Sequence, residues 1–182
     1  VFAYDQNPAP LERLSAHGVK ATTSLADIIA QTDIIFLSLP GEPQVREVVL
    51  GDDGLFAHAR PGQVILDCST CPVRLAQEIA EAAAAKGVRF LDAPVARGVK
   101  AAENGTLNFM VGGDQKDFDT VLPYIKCMGG DITLCGTNGA GQAVKLMNNM
   151  IVVQTVQAIA EALKVARESG AVDGKMLFET LA

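Results

Sequence analysis

The stretch Asp33-Ile34-Ile35-Phe36-Leu37-Ser38-Leu39-Pro40-Gly41 decides the fold class. Its apolar run from Ile34 to Leu37 is rich in β-branched and bulky side chains and is of strand length. It predicts a buried strand over 34–39. Pro40-Gly41 then turns the chain at the carboxyl end of that strand, where open α/β sheets place ligands. On the amino-terminal side Ser24 is the expected cap of a helix over Leu25–Gln31, and a helix over 44–49 is predicted after the turn.

The same alternation extends both ways. Upstream, 1–4 reads as a strand ending in Asp5, Pro8 and Pro10 open a helix reaching 17, Gly18 stops it, and 19–21 is a short strand. Downstream, Gly62 leads into a strand over 63–67, and Pro72 sits at the first turn of an alanine-rich helix ending at Lys86-Gly87. A strand over 88–91 follows, then a glycine-punctuated loop or short helix to Gly105, a strand over 107–111, a helix over 114–125 and a strand near 132–134. This rhythm is that of βαβ units and a largely parallel sheet. From Gly141 strand signals stop, and apolar positions at helical spacing predict one long helix over 143–168, ended by Gly170. The expected architecture is α/β. A Rossmann-type doubly wound sheet lacking its first βα unit occupies 1–137, and the start of an all-α domain, entered by the long interdomain helix, occupies 138–182. Both ends read as cut.

With 182 residues, 49% of them hydrophobic, the chain can bury a substantial core. A net charge of -6 excludes a basic nucleic-acid-binding surface, because counterion release needs clustered Lys and Arg. No apolar run is long enough to span a bilayer, and the amino terminus carries no signal-peptide pattern, so a cytoplasmic protein acting on small solutes is expected. The four cysteines give no disulfide framework; Cys68 and Cys71 form a solitary CxxC without a second zinc-binding pair, so no metal site is expected. His17 and His58 read as surface residues without carboxylate partners nearby in sequence.

A dinucleotide-binding βαβ unit places an acidic residue at the carboxyl end of its second strand, where it receives the adenosine ribose. Asp5 fits that role and would favour NAD over NADP, though Gln6 and Asn7 could hydrogen-bond a 2′-phosphate and Asp5 also suits a turn. Near the other end stands Gly136-Thr137-Asn138-Gly139-Ala140-Gly141-Gln142-Ala143-Val144-Lys145-Leu146-Met147-Asn148-Asn149. Gly139 and Gly141 permit close backbone approach at a helix start, whose free N–H groups favour an anion such as a substrate carboxylate. Lys145 and Asn149 are four apart, about 40° around a helix axis, so they address one small volume. An ammonium there can stabilise and protonate an oxygen that gains charge during hydride transfer, and Asn149 can orient the substrate oxygens.

Two further segments accompany that one: Asp67-Cys68-Ser69-Thr70-Cys71-Pro72, and Asp92-Ala93-Pro94-Val95-Ala96-Arg97-Gly98 continuing through Gly105-Thr106-Leu107 to Met110-Val111-Gly112-Gly113. Together the three resemble the β-hydroxyacid dehydrogenase family, which includes 3-hydroxyisobutyrate dehydrogenase and tartronate semialdehyde reductase. The resemblance implies an oxidoreductase interconverting a β-hydroxyacid and its semialdehyde with NAD, NADP being possible. It implies Lys145 and Asn149 as the catalytic pair and as substrate contacts, with Leu39, Pro40, Gln44 and Thr70 joining Asp5 on the cofactor; Thr70 also suits a helix N-cap. The substrate loop usually reads S-G-G, whereas this chain has Ala96-Arg97-Gly98. A guanidinium suits bidentate recognition of carboxylate, sulfonate or phosphate, so a small substrate with a strongly anionic head is expected, with solvent exposure of Arg97 as the alternative. The 6-phosphogluconate dehydrogenase branch shares the architecture but carries a serine and a histidine pattern that this chain lacks, and imine reductases generally replace the lysine. The resemblance further implies a homo-oligomer, supported by the small residues Ala158, Ala160, Ala162 and Ala166 on the long helix. The competing reading is a catalytically inactive, fold-retaining or truncated binding module.

Overall fold

The structure, a computed structural model, describes residues 1–181 and divides into two compact units, Val1–Lys145 and Leu146–Ala182. The first unit opens with β1 (Phe2–Ala3), α1 (Pro8–Ser15), β2 (Lys20–Ala21), α2 (Leu25–Gln31), β3 (Ile34–Leu37) and α3 (Glu42–Leu50). It continues with α4 (Leu55–His58), β4 (Val64–Asp67), α5 (Val73–Ala85), β5 (Arg89–Asp92), β6 (Val95–Ala96) and α6 (Gly98–Glu103). Then come β7 (Leu107–Gly112), α7 (Gln115–Ile125), β8 (Gly129–Gly136) and the start of α8 (Ala140–Ser169). Local chemistry sets the helix starts. Ser24 accepts from the Asp27 amide at 3.1 Å, as its sequence position predicts, and Asn7 and Asp114 cap α1 and α7 in the same way.

The main sheet runs β3-β4-β5-β7-β6, with β8 paired to β7. Strands β3, β4 and β5 are parallel, and Leu37, Asp67 and Asp92 lie in one register row at their carboxyl ends. Alternate side chains feed two cores. Ile35, Leu37, Ile65 and Phe90 pack with the α2, α3 and α5 side, whereas Val64, Leu66, Leu91, Phe109 and Val111 pack with Phe118, Val121 and Ile125 of α7. Strand β4 is buried over its whole length, which explains the unbroken apolar run from Val64 to Leu66 ahead of Asp67.

Most strand pairings are parallel, as expected, with two departures. The sheet is mixed: β7 is antiparallel to both β5 and β6. Only the short α6 and the Gly105 turn lie between β6 and β7, too little chain for the crossover that parallel pairing needs. Strands β1 and β2 pair only with each other, as a separate two-stranded parallel sheet. In the 3-2-1-4-5-6 order of a doubly wound sheet the first strand joins such a pair to the rest; within the described residues β1 and β3 each leave one edge unpaired. The short helix α4 and the strand β6 were not predicted, and His58 on α4 meets the Asp53 carboxylate at 2.7 Å, so it does have an acidic partner.

Helix α8 begins three residues before the predicted start, and the two compact units meet within it, between Lys145 and Leu146. Its first turn is fixed to β5 by hydrogen bonds described below. In the second unit α8 leaves Met150, Ile151, Val153 and Val156 more than half exposed. It ends at Ser169 ahead of Gly170, which takes a positive φ, and Asp173 caps α9 (Gly174–Leu181) through the Lys175 and Met176 amides. Among the described residues no helix is long and apolar enough to cross a membrane.

Candidate functional site

The register row Leu37–Asp67–Asp92 brings three loops out of one sheet edge side by side: 38–41, 68–72 and 93–98. Bonds between loops hold this edge. Ser69 Oγ accepts from the Leu39 amide at 2.9 Å, and the Ser69 amide donates to Asp67 Oδ1 at 2.9 Å. Asp67 is buried, and loss of hydration pushes its carboxyl up to about 6 despite the Ser69 bonds.

The start of α8 packs directly on this edge. A Cβ on Gly141 would collide with the backbone carbonyls of Met110 and Asp92, and one on Gly112 would lie 2.6 Å from Asp92 Oδ1. Gly139 has φ +91 and lies against Val73. The glycines therefore do permit close approach, but of the protein's own strands and of helix α5. The helix start is occupied too. Asp92, fully buried, accepts from the Gly139 amide at 2.7 Å and the Gln142 amide at 2.9 Å. The expectation that these N–H groups await a substrate carboxylate is corrected: an internal carboxylate satisfies them and spends their partial positive charge. Burial, the largest influence on Asp92, raises its carboxyl above the usual range, and the amide bonds act against it.

Gln142 is likewise fully buried. Its Oε1 accepts from the Cys71 amide at 2.9 Å, and its Nε2 donates to the Ser69 carbonyl at 2.8 Å. Asn138 donates to the Phe90 carbonyl at 2.8 Å. One turn after Gln142, Lys145 is half-buried, and partial desolvation lowers its ammonium from the ordinary range. Asn149, half-buried, lies four residues further along the same helix.

In the 93–98 loop Ala96 pairs with Asn108 of β7. Arg97 takes φ 85 and ψ 1, the sole non-glycine positive φ among the described residues, and Gly98 follows at φ 71. An L-residue held there costs about 1–2 kcal/mol. The Arg97 side chain makes an ion pair with Asp131 of β8 and donates to the Thr106 carbonyl at 3.3 Å. Arg97 and Asp131 are both largely exposed, so their attraction is screened by water.

Asp5, Pro40, Gln44 and Thr70 are exposed, and Leu39 is half-buried with its amide engaged by Ser69. Asp5 Oδ1 accepts from the Asn7 amide at 2.8 Å, a turn bond that leaves its second oxygen free for a ribose hydroxyl. Thr70 is not a helix cap: α5 is capped by Pro72, with no side-chain bond, and Thr70 is exposed. An acid two residues past β1, the Leu39-Pro40 turn and an exposed threonine are residue types compatible with a dinucleotide. Sequence reasoning missed Ser69, Asp92, Gln142 and Asp131. The available signal was an acid closing each of two strands with an isolated polar residue, Gln142, in an otherwise apolar helix start.

Residues 1–136 match the family described as the NAD binding domain of 6-phosphogluconate dehydrogenase. The chain is 37% identical over 170 residues to the Dictyostelium discoideum protein "Probable 3-hydroxyisobutyrate dehydrogenase, mitochondrial", a match covering 93% of this chain and 53% of that protein. It is 36% identical over 178 residues to the NAD-dependent L-serine dehydrogenase of Pseudomonas aeruginosa, covering 98% and 59%. The solved structure of Mycobacterium tuberculosis 3-hydroxyisobutyrate dehydrogenase with L-serine superposes with a TM-score of 0.88 at 38% identity, over 98% of this chain and 60% of that one. The chain thus spans between about half and three fifths of the length of these relatives. By the family match and by the fold that carries it, the chain belongs to the NAD-binding family of 6-phosphogluconate dehydrogenase, with 3-hydroxyisobutyrate dehydrogenases among its relatives.

Proposed function

We propose that the protein interconverts a β-hydroxyacid and its semialdehyde with NAD, and that Lys145 is the acid–base residue. The observation that supports this most is Lys145 itself, one turn beyond a helix start fixed by buried bonds, and partly desolvated so that its ammonium gives up a proton more readily. The nicotinamide, when bound, supplies or accepts the hydride. In the reducing direction the Lys145 ammonium stabilises the charge growing on the aldehyde oxygen and delivers a proton to it. In the oxidising direction the neutral amine takes the hydroxyl proton. Asn149, four residues on, holds the substrate oxygens through its amide. Asp5, Leu39, Pro40, Gln44 and Thr70 are the residues that would line the dinucleotide, with Asp5 favouring NAD because a 2′-phosphate beside its carboxylate is repelled.

The substrate loop Ala96-Arg97-Gly98 supplies the head-group contact. Arg97 reads a strongly anionic head by exchanging Asp131 for it; an exposed ion pair is worth about 0–1 kcal/mol, so the exchange costs little. The relatives named for 3-hydroxyisobutyrate and L-serine support the β-hydroxyacid class. A panel of β-semialdehydes with neutral and anionic heads, assayed with wild type and Arg97→Ala, tests the head-group reading. The variant should lose activity selectively on anionic heads; equal loss on both sets contradicts it.

A further inference from the structure

Two of the three loops at the candidate site are bonded, directly or through Ser69, to a single buried side chain that the proposed reaction does not use, and the backbone amide of the same residue bonds to the end of β5. Gln142 is fully buried and makes three hydrogen bonds: its amide to Asp92 Oδ2, its Oε1 from the Cys71 amide, and its Nε2 to the Ser69 carbonyl. The last two flank Thr70 on both sides. Ser69 in turn holds the Leu39 amide through its hydroxyl. The loops after β3 and β4 and the end of β5 therefore converge on the helix turn that precedes Lys145.

Residue type matters at this position. The side chain must accept from one backbone group and donate to another while staying neutral, because Asp67 and Asp92 are already buried acids in the same region. A carboxylate cannot donate, an ammonium cannot accept, and asparagine is one methylene shorter. For stability alone an apolar residue of similar volume would be nearly as good where its partners can find other bonds. The two partners here are the backbone groups on either side of a proposed cofactor contact, and Lys145 follows Gln142 by one helix turn, so Gln142 links the two.

We propose that Gln142 is a positioning residue that fixes the Ser69–Cys71 loop, and the cofactor face it presents, relative to Lys145. The proposal rests on the reading of Lys145 as the acid–base group. Displacing reacting groups by about 1 Å can cost on the order of 10²-fold in rate.

The test uses the full-length enzyme with Gln142→Met, which keeps length and volume but loses both side-chain bonds, and with Gln142→Glu, which retains only the acceptor. Hydrogen exchange at the Cys71 amide is measured alongside the primary deuterium isotope effect with 4-deuterated NADH. Expected in Gln142→Met are faster exchange at Cys71, kcat lower by about 10- to 100-fold with substrate KM changed by less than about threefold, and an isotope effect larger than in wild type. Gln142→Glu should fall between the two. Wild-type kcat and isotope effect in a folded Gln142→Met overturn the proposal, as does a loss that merely follows the unfolded fraction. If neither variant folds, wild-type exchange decides: a Cys71 amide exchanging as fast as an exposed loop overturns it, and one opening only with the global unfolding of the first unit supports it. Lys145→Met separates the two readings. If it remains active the acid–base assignment fails whatever Gln142 does, and if it is inactive while Gln142→Met matches wild type only the present proposal fails.

Discussion

The start of α8 and the Ala96–Gly98 loop are both glycine-containing segments at the site, and they are held in opposite ways. At the helix start, Gly139 and Gln142 donate to a carboxylate that water does not reach, and the packing is so close that a single Cβ would not fit at Gly141. In the loop, a strained backbone at Arg97 is held by an ion pair open to solvent. Buried polar groups are costly to leave unpaired, whereas exposed ion pairs are nearly free to break. The first segment therefore belongs to the fold and sets where Lys145 sits. The second can exchange its partner, as the head-group role proposed for it requires.

Three variants should expose that difference, in descending size. Asp92→Ala strands the buried amides of Gly139 and Gln142 and should lower unfolding free energy by about 3 kcal/mol, read from urea denaturation. A loss under about 1 kcal/mol would erase the contrast. Asp67→Asn works in the other direction. Because the folded-state carboxyl is raised to about 6, its contribution to stability is fully present below the ordinary value of 3.8 and is lost as pH rises through 6. Wild type should therefore lose stability across that window, by on the order of 2 kcal/mol. Asp67→Asn, which keeps an acceptor for the Ser69 amide, should flatten the curve and be the more stable protein at pH 7. An unchanged pH dependence contradicts the assignment. Arg97→Gly should be the mildest: relief of the positive φ offsets the lost ion pair and the added freedom of the unfolded chain, leaving stability within about 1 kcal/mol of wild type. A larger loss would mean that the loop is as much part of the fold as the helix start.

Much of the fold was legible because it is local. The Ser24 cap and the apolar runs that open β3 and β4 announce themselves within a few residues, although Phe36 of β3 is exposed where the sequence predicts a buried strand. Helix α4 has four residues, too few to show a helical period, and the reversal at β7 could be read only from the shortness of the connection before it. The site divides in the same way. Lys145 and Asn149 stand out because both lie on one helix, four residues apart. The partners that hold the helix start and the Arg97 loop lie far off in sequence: Asp92 is 47 and 50 residues from the amides it receives, and Asp131 is 34 from Arg97. Glycines at a helix start carry the same signature whether a ligand or a neighbouring strand comes close, and only the packing distinguishes them.

The central claim is that Lys145 handles the substrate proton. Its most direct test is NADH oxidation driven by a β-semialdehyde, followed in the full-length enzyme and in Lys145→Met, with NADH affinity measured for each by nicotinamide fluorescence. The account predicts turnover by wild type, a loss of about 10²- to 10⁴-fold in the variant, and NADH affinity unchanged within about threefold. Turnover by Lys145→Met within about threefold of wild type, or no turnover by wild type with any β-semialdehyde, would contradict it.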